Sequence, residues 1–536
     1  MIAGGRMSAS PARHPARSRR RSARARAGAL VAAAATALLL AGCSGGDGVD
    51  LDNGDDGASA GSGSSRGITV AIGGEPDQLD PHKTTSYFSF EVLENVYDTL
   101  VEPDENLEMQ PALATSWDLS DDQLTWTFHL RKGVTFQDGS DFTADDVVYS
   151  FNRIIDDKLS TAWRFSAVKD IEAVDPETVR ITVGQPSPNL LSSIGGFKGV
   201  AIVEKKNVQS GDITTAPVGT GPYSVADFTS GDHIDLEANP DYWGGKPAIP
   251  TIRYRFISNG ATAIAALKAG EIDWTDSIPP QQVETLADDD SIELGQVPSN
   301  DYWYLALNER RKPFDDVRVR QAISYAIDRD AIAQVTSYGT ATVNELAIPQ
   351  ESTWYTEYDG YTHDTDKAQQ LLDEAGVHDL TMELMVSSDY PETVDAAQVI
   401  ADELDDVGIT LKIRTLDFGT WLDEQSKGNF DMLYMGWLGN IDPDDFYYSQ
   451  HHTDGGSNYQ GYSNPEVDKL LDAGRTETDP DKRKDIYAQA ATQIADDASY
   501  IYLYNPSVIQ AWNPALTGYT VRTDRAVRFR DAALED

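Results

Sequence analysis

The period of the hydrophobic positions changes repeatedly along this chain, and each change marks an element. "ITVAIGG" from Ile68 alternates as a strand, and "SYFSFEVLENVYDTLV" (86–101) repeats apolar residues at helical spacing. In "LTWTFHLRKGVTF", Leu124, Trp126, Phe128 and Leu130 share one face, as in a strand with one buried side. "TADDVVYSFNRII" opens with Thr143, and Asp146 stands three residues on, a capping-box variant that starts a helix. "ETVRITV", "DHIDLEAN" and "TIRYRFI" read as strands, "NGATAIAALKAGEIDW" as a helix ending near Gly270, and "DVRVRQAISYAIDRDAIAQVTSYG" as one long helix. From 380 to 437 the order is strand "LTMELMVS", helix "PETVDAAQVIADELDDVG", strand "ITLKIRTL", helix "FGTWLDEQSKG", strand "DMLYMGW". That alternation predicts a parallel βαβαβ unit with right-handed crossovers. Two helices, "NPEVDKLLDAGR" and "DPDKRKDIYAQAATQIADDA", and a strand, "SYIYLYNP", follow. The fold class is α/β.

Ligands of open α/β sheets sit beyond the carboxyl ends of the strands. The third strand of the unit ends in "GWLGNIDPDDFYYSQHH" (436–452), so Trp437 to Asp442 is expected at a cleft edge. Asp444, Asp445 and the His451–His452 pair beyond it read as a solvated turn and helix start. Aromatic residues also gather in "NDYWYLALN" (300–308) and "SYIYLYNP" (499–506), consistent with a partly aromatic pocket as well as with core packing.

The amino-terminal region reads differently. Its first 42 residues hold eight Arg and no acid, and a short apolar run, Ala27 to Ala41, follows the basic stretch. This suits a signal peptide rather than a membrane span. The run ends in Leu40-Ala41-Gly42-Cys43, a lipobox, and Cys43 is the only cysteine of 536 residues. An intrachain disulfide and a thiolate metal cluster are therefore excluded, and Cys43 is assigned to lipidation. Residues 44–67 are Gly, Ser and Asp with little to bury, a flexible tether. The folded part is thus expected on the extracytoplasmic face of the cell membrane, anchored by lipid alone.

The full chain carries 43 Lys+Arg against 87 Asp+Glu, a formal net charge of −44. Such a surface is hostile to nucleic acid, which needs a basic face. No phosphate-cradling loop or His-Glu-x-x-His is present, which moves the reading from enzyme toward binding protein. Asp442, Asp444, His451 and His452 would mix hard and borderline metal ligands in a mobile turn, so no metal and no cofactor is expected.

Four stretches together resemble a known family: "WTFHLRKGVTFQDGSDFTADDVVYSFNRI" (126–154), "GTGPYSVADFTSGDHIDLEANPDYWGGKPAI" (219–249), "LNERRKPFDDVRVRQAISYAIDRDAI" (307–332) and "GYSNPEVDKLLDAG" (461–474). They are similar, in order, to the solute-binding protein family 5 of ABC importers, whose members bind oligopeptides, dipeptides and nickel chelates. The resemblance implies a two-lobed periplasmic-binding-protein-like clamshell of type II with an extra inserted domain. Lobe I would comprise 68–101, 217–307 and 505–536, the inserted small domain 102–216, and lobe II 308–504. It implies a monomer that captures a solute, a peptide first, and delivers it to ABC permease subunits. A metal chelate or an opine is the alternative within the family, and an extracytoplasmic glycosidase or hydrolase the alternative from another class. Carried over residue by residue, the resemblance assigns ligand contacts to Thr85, Ser86 and Tyr87, to Trp303 or Tyr304, to Tyr502 or Tyr504, and to the Trp437, Leu438, Gly439, Asn440 segment. Peptide-binding relatives carry an aspartate three residues after that Trp, which pairs with the peptide's α-ammonium. Here the position is Asn440, and Asp442 stands two further on as the candidate substitute.

Overall fold

The computed structural model describes residues 66–438 and 441–535. Three sheets organise them. The first has seven strands in the order Glu293–Pro298, Ser507–Trp512, Trp274–Thr275, Ile68–Ile72, Thr251–Phe256, His233–Ala238, Tyr223–Thr229. The second has six, ordered Thr342–Val343, Tyr500–Asn505, Tyr302–Leu307, Met432–Trp437, Leu380–Ser387, Ile409–Leu416. The third is a four-stranded antiparallel sheet, Ala114–Leu119, Thr125–Leu130, Thr178–Val183, Val168–Asp175, covered by the helix Ala144–Asp156. These are the two lobes and the inserted domain of a clamshell.

Local chemistry explains the elements. Thr125–Leu130 alternates half-buried and buried side chains, with Trp126, Phe128 and Leu130 in the inserted domain's core. At Thr143 the backbone N–H and the hydroxyl both donate to the Asp146 carboxylate, at 2.9 and 3.1 Å, which satisfies the helix start. Leu380–Ser387 pairs in parallel with both Ile409–Leu416 and Met432–Trp437, as the alternating pattern predicts.

Three expectations are corrected. The helix expected over 86–101 spans only Tyr87–Leu93. Asn95 ends it by turning its side-chain amide to Val527 O at 2.8 Å and Tyr254 Oη at 3.1 Å. The long helix after 316 is two, Val317–Ala326 and Arg329–Ser337, because Asp328 caps the second by accepting from the Ala331 N–H at 3.1 Å. The strand Tyr302–Leu307, expected in lobe I, lies in the second sheet between Met432–Trp437 and Tyr500–Asn505.

That last correction locates the hinge. The chain leaves the first sheet at Pro298, enters the second at Tyr302, and returns through Pro506 to Ser507. The two crossings are tied together: Ser299 N–H donates to Pro506 O at 3.0 Å, and the Asn505 amide donates to Asp301 O at 2.9 Å.

Candidate functional site

The carboxyl end of Met432–Trp437 faces the other lobe, and the helix Pro443–His451 starts just beyond it. A cavity of about 30 Å³ lies there between the lobes. Ile441 and Asp445 line it from lobe II, Arg164, Ser192, Gly196 and Lys198 from the inserted domain, and Glu94, Asp524 and Arg528 from lobe I. That space holds about two waters, so a solute enters only when the lobes part. Three acids and three bases converge on it, giving a formally neutral lining of separated charges.

Their electrostatics follow from burial. Burial pushes the Glu94 carboxyl up to about 7, against the pull of Arg528 at 3.9 Å. Asp445 is likewise raised by burial to about 7, with Arg164 opposing. Burial lowers the Arg164 guanidinium, whose Nε has no hydrogen-bond partner, while Nη1 donates to Ser193 O at 3.4 Å. Burial lowers the Lys198 ammonium too, with Asp301 and Asp524 pulling the other way.

Among the described residues, none of the assigned contacts lines this cavity. Trp437 is half-buried and Leu438 exposed at the strand end, next to the cavity segment. Gly439, Asn440 and Cys43 lie outside the described residues. Thr85 is exposed, and Ser86 precedes the helix Tyr87–Leu93 without a side-chain cap bond. The Arg525 guanidinium lies 4.3 Å over the Tyr87 ring and donates to Asp301 at 2.8 Å. Trp303, half-buried, packs on Tyr390 and Tyr434 at 6.2 and 5.6 Å.

Tyr304, Tyr502 and Tyr504 are corrections: all three are buried in the core of lobe II, because this central part of the sheet is covered on both faces. Tyr304 stacks on Tyr500 at 4.0 Å, Tyr502 Oη meets His451 Nε2 at 2.9 Å, and Tyr504 Oη meets Tyr434 Oη at 3.0 Å.

Asp442 is corrected as well. Its two oxygens take both ends of the Arg483 guanidinium, at 2.7 and 2.6 Å, and Oδ1 also accepts the Asp444 N–H at 3.0 Å. It caps a helix and neutralises a buried arginine, so it is not available to a ligand ammonium. Nor are Asp444, Asp445 and the histidines a solvated turn, for all four are buried. Asp444 accepts from Tyr487 at 3.0 Å and Arg475 at 3.2 Å in its own lobe, and from Asn189 of the inserted domain at 3.2 Å. Arg475 also donates across the cleft to Ser166 at 3.1 Å. His451 is held between Ser499 and Tyr502, and burial keeps it neutral, at about 3. Glu94, Arg164, Lys198 and Asp445 were missed by sequence reasoning. They come from three parts of the chain, and no local pattern distinguishes them from surface charges.

The profile described as bacterial extracellular solute-binding proteins, family 5 Middle, matches residues 108–459. The chain belongs to the solute-binding protein family 5 of ABC importers. Among family 5 relatives, it is 30% identical over 484 residues to the glutathione-binding protein GsiB of Salmonella choleraesuis strain SC-B67, covering 87% of this chain and 94% of that one. It is similar to the ABC transporter-associated periplasmic binding protein DppA of Helicobacter pylori in complex with the peptide STSA. That likeness has TM-score 0.80 and 29% identity, over 88% and 99% of the two chains. It is also similar to AgaA of A. tumefaciens R10 in complex with agropinic acid, with TM-score 0.79 and 28% identity. That match covers 88% of this chain and 99% of that chain. Family 5 membership fits the clamshell observed, and among the described residues no helix is long and apolar enough to cross a membrane.

Proposed function

We propose that this chain is a non-catalytic, lipid-anchored receptor of an ABC importer that captures a short peptide between its lobes and delivers it to the permease. The observation that carries the reading is the cavity beside Ile441, where acids and bases from three parts of the chain face one another. Separated opposite charges suit a zwitterion, whose ends need partners when buried. The peptide-bound DppA and the glutathione-binding GsiB support the same class. Solute contacts to both lobes favour the closed state, and closure is what the permease reads. Cys43, through two acyl chains, would hold the monomer at the extracytoplasmic face. Thr85, Ser86, Tyr87, Trp303, Trp437, Leu438, Gly439 and Asn440 are proposed as further solute contacts.

Asn440 favours a second reading, a non-peptide solute such as an opine, since the ammonium-pairing carboxylate is missing there. AgaA with agropinic acid supports it. Native mass spectrometry of residues 44–536, purified without refolding, decides between them. A retained peptide mass supports the first reading; a retained non-peptide mass rejects it. Turnover of glycosides or esters would reject the non-catalytic assignment. For the anchor, Cys43→Ser should move the protein from the membrane to the soluble fraction.

A further inference from the structure

The position at which a peptide's ammonium is expected holds Asn440, and the nearby Asp442 is consumed by Arg483. A ligand ammonium entering the cavity beside Ile441 therefore needs another carboxylate. Three acids line that cavity. Asp524 already accepts from Arg522 at 3.0 Å through both oxygens. Asp445 faces Arg164. Glu94 is different. It sits at the end of the helix Tyr87–Leu93, its side chain is 5% exposed, and its Oε2 accepts no hydrogen bond.

The nearest cation to Glu94 is already committed. Arg528 Nη1 donates to Glu102 at 3.0 Å, and Glu102 is held further by Arg530 at 2.8 and 2.9 Å. Arg528 Nε stays 3.9 Å from Glu94 Oε2, beyond hydrogen-bond length. A buried carboxyl oxygen without a donor is costly, so its retention in a native fold calls for an explanation such as a bound partner.

We infer that Glu94 is the carboxylate that receives the ammonium group of the solute, in place of the aspartate carried by peptide-binding relatives on the opposite lobe. The inference rests on the peptide reading above and makes it specific. The cation is clasped from lobe I rather than from lobe II, while Arg164 faces the anionic end. Burial raises the Glu94 carboxyl to about 7, and an arriving ammonium supplies the compensating charge that ionises it.

Isothermal titration with glutathione, Met-Leu and Ser-Thr-Ser-Ala, each free and N-acetylated, tests this on the wild-type chain and on Glu94→Gln. The variant keeps the shape and removes the charge. The expected result is a loss of at least tenfold in affinity for a free-amino peptide. The N-acetylated form should bind weakly and equally to both proteins. Unchanged affinity of Glu94→Gln for the free peptide, or equal losses for both forms, overturns the role of Glu94 and leaves peptide binding standing. Failure of wild type to bind any of the three overturns the peptide reading itself. Far-ultraviolet circular dichroism and an unchanged urea midpoint establish that the variant is folded; if it is not, Glu94→Asp, which keeps the charge and retracts it, should show the same selective loss.

Discussion

Asp442 offers the sharpest test, because sequence and structure give it different jobs. In the structure its side chain is 8% exposed and that of Arg483 is 4% exposed, and two parallel hydrogen bonds of 2.7 and 2.6 Å join them. Asp442→Asn keeps an N-cap oxygen for the Asp444 N–H but leaves the Arg483 charge buried without its counterion. Breaking one side of such a pair costs about 3–5 kcal/mol. Arg483 retains the Gly474 carbonyl at 2.8 Å and its packing on Trp354 and Tyr487, so the lower end of that range applies. With a urea m-value of about 3 kcal/mol/M, the midpoint for lobe II should fall by about 1 M. Replacing both partners, Asp442→Asn with Arg483→Met, should recover most of that loss, since neither charge is then stranded. Urea unfolding followed by tryptophan fluorescence reads the midpoints, and peptide titration on the folded variant reads affinity. A stable Asp442→Asn variant with weakened peptide binding would refute the structural role and restore the ligand role.

Three further outcomes are expected. His451 is neutral in the folded chain, at about 3, against 6.5 when unfolded, so below pH 6.5 the unfolded chain binds the extra proton. Its stabilisation is complete above pH 6.5 and declines by about 1.4 kcal/mol per unit as pH falls toward 3; the advantage of wild type over His451→Gln in urea should shrink accordingly and not at pH 7–8. Asn189→Ala with Ser166→Ala removes two hydrogen bonds across the cleft, about 1 kcal/mol each, and should raise the radius of gyration in small-angle scattering, whereas an unchanged radius contradicts a role in closure. Thr143→Ala should cost about 1 kcal/mol through loss of the helix cap, seen as a lower urea midpoint for the inserted domain.

The fold was largely legible because its elements carry strong periods. The parallel unit after 380 follows directly from strand–helix alternation, and the capping box at Thr143 from two residues three apart. Element ends were less legible where tertiary bonds decide them, as when Asn95 reaches Val527, 432 residues away, and stops a helix. The cleft edge at Trp437 was readable from the rule for strand ends. The tyrosines of 500–505 were not, because alternation cannot say whether one face of a strand or both are covered, and here all six residues are buried. The charges of the cavity were illegible for a different reason: in so acidic a chain, nothing in sequence marks Glu94 apart from the other 86 acids.

The central claim is that solute binds between the lobes beside Ile441. Ile441→Trp would fill that space and hold the lobes apart, while Leu422→Trp places the same bulk on an exposed helix position. Titration of both variants and wild type with glutathione, Met-Leu and Ser-Thr-Ser-Ala is the direct measurement. The account predicts that Ile441→Trp abolishes peptide binding and Leu422→Trp preserves it; binding of equal strength by all three proteins would contradict it.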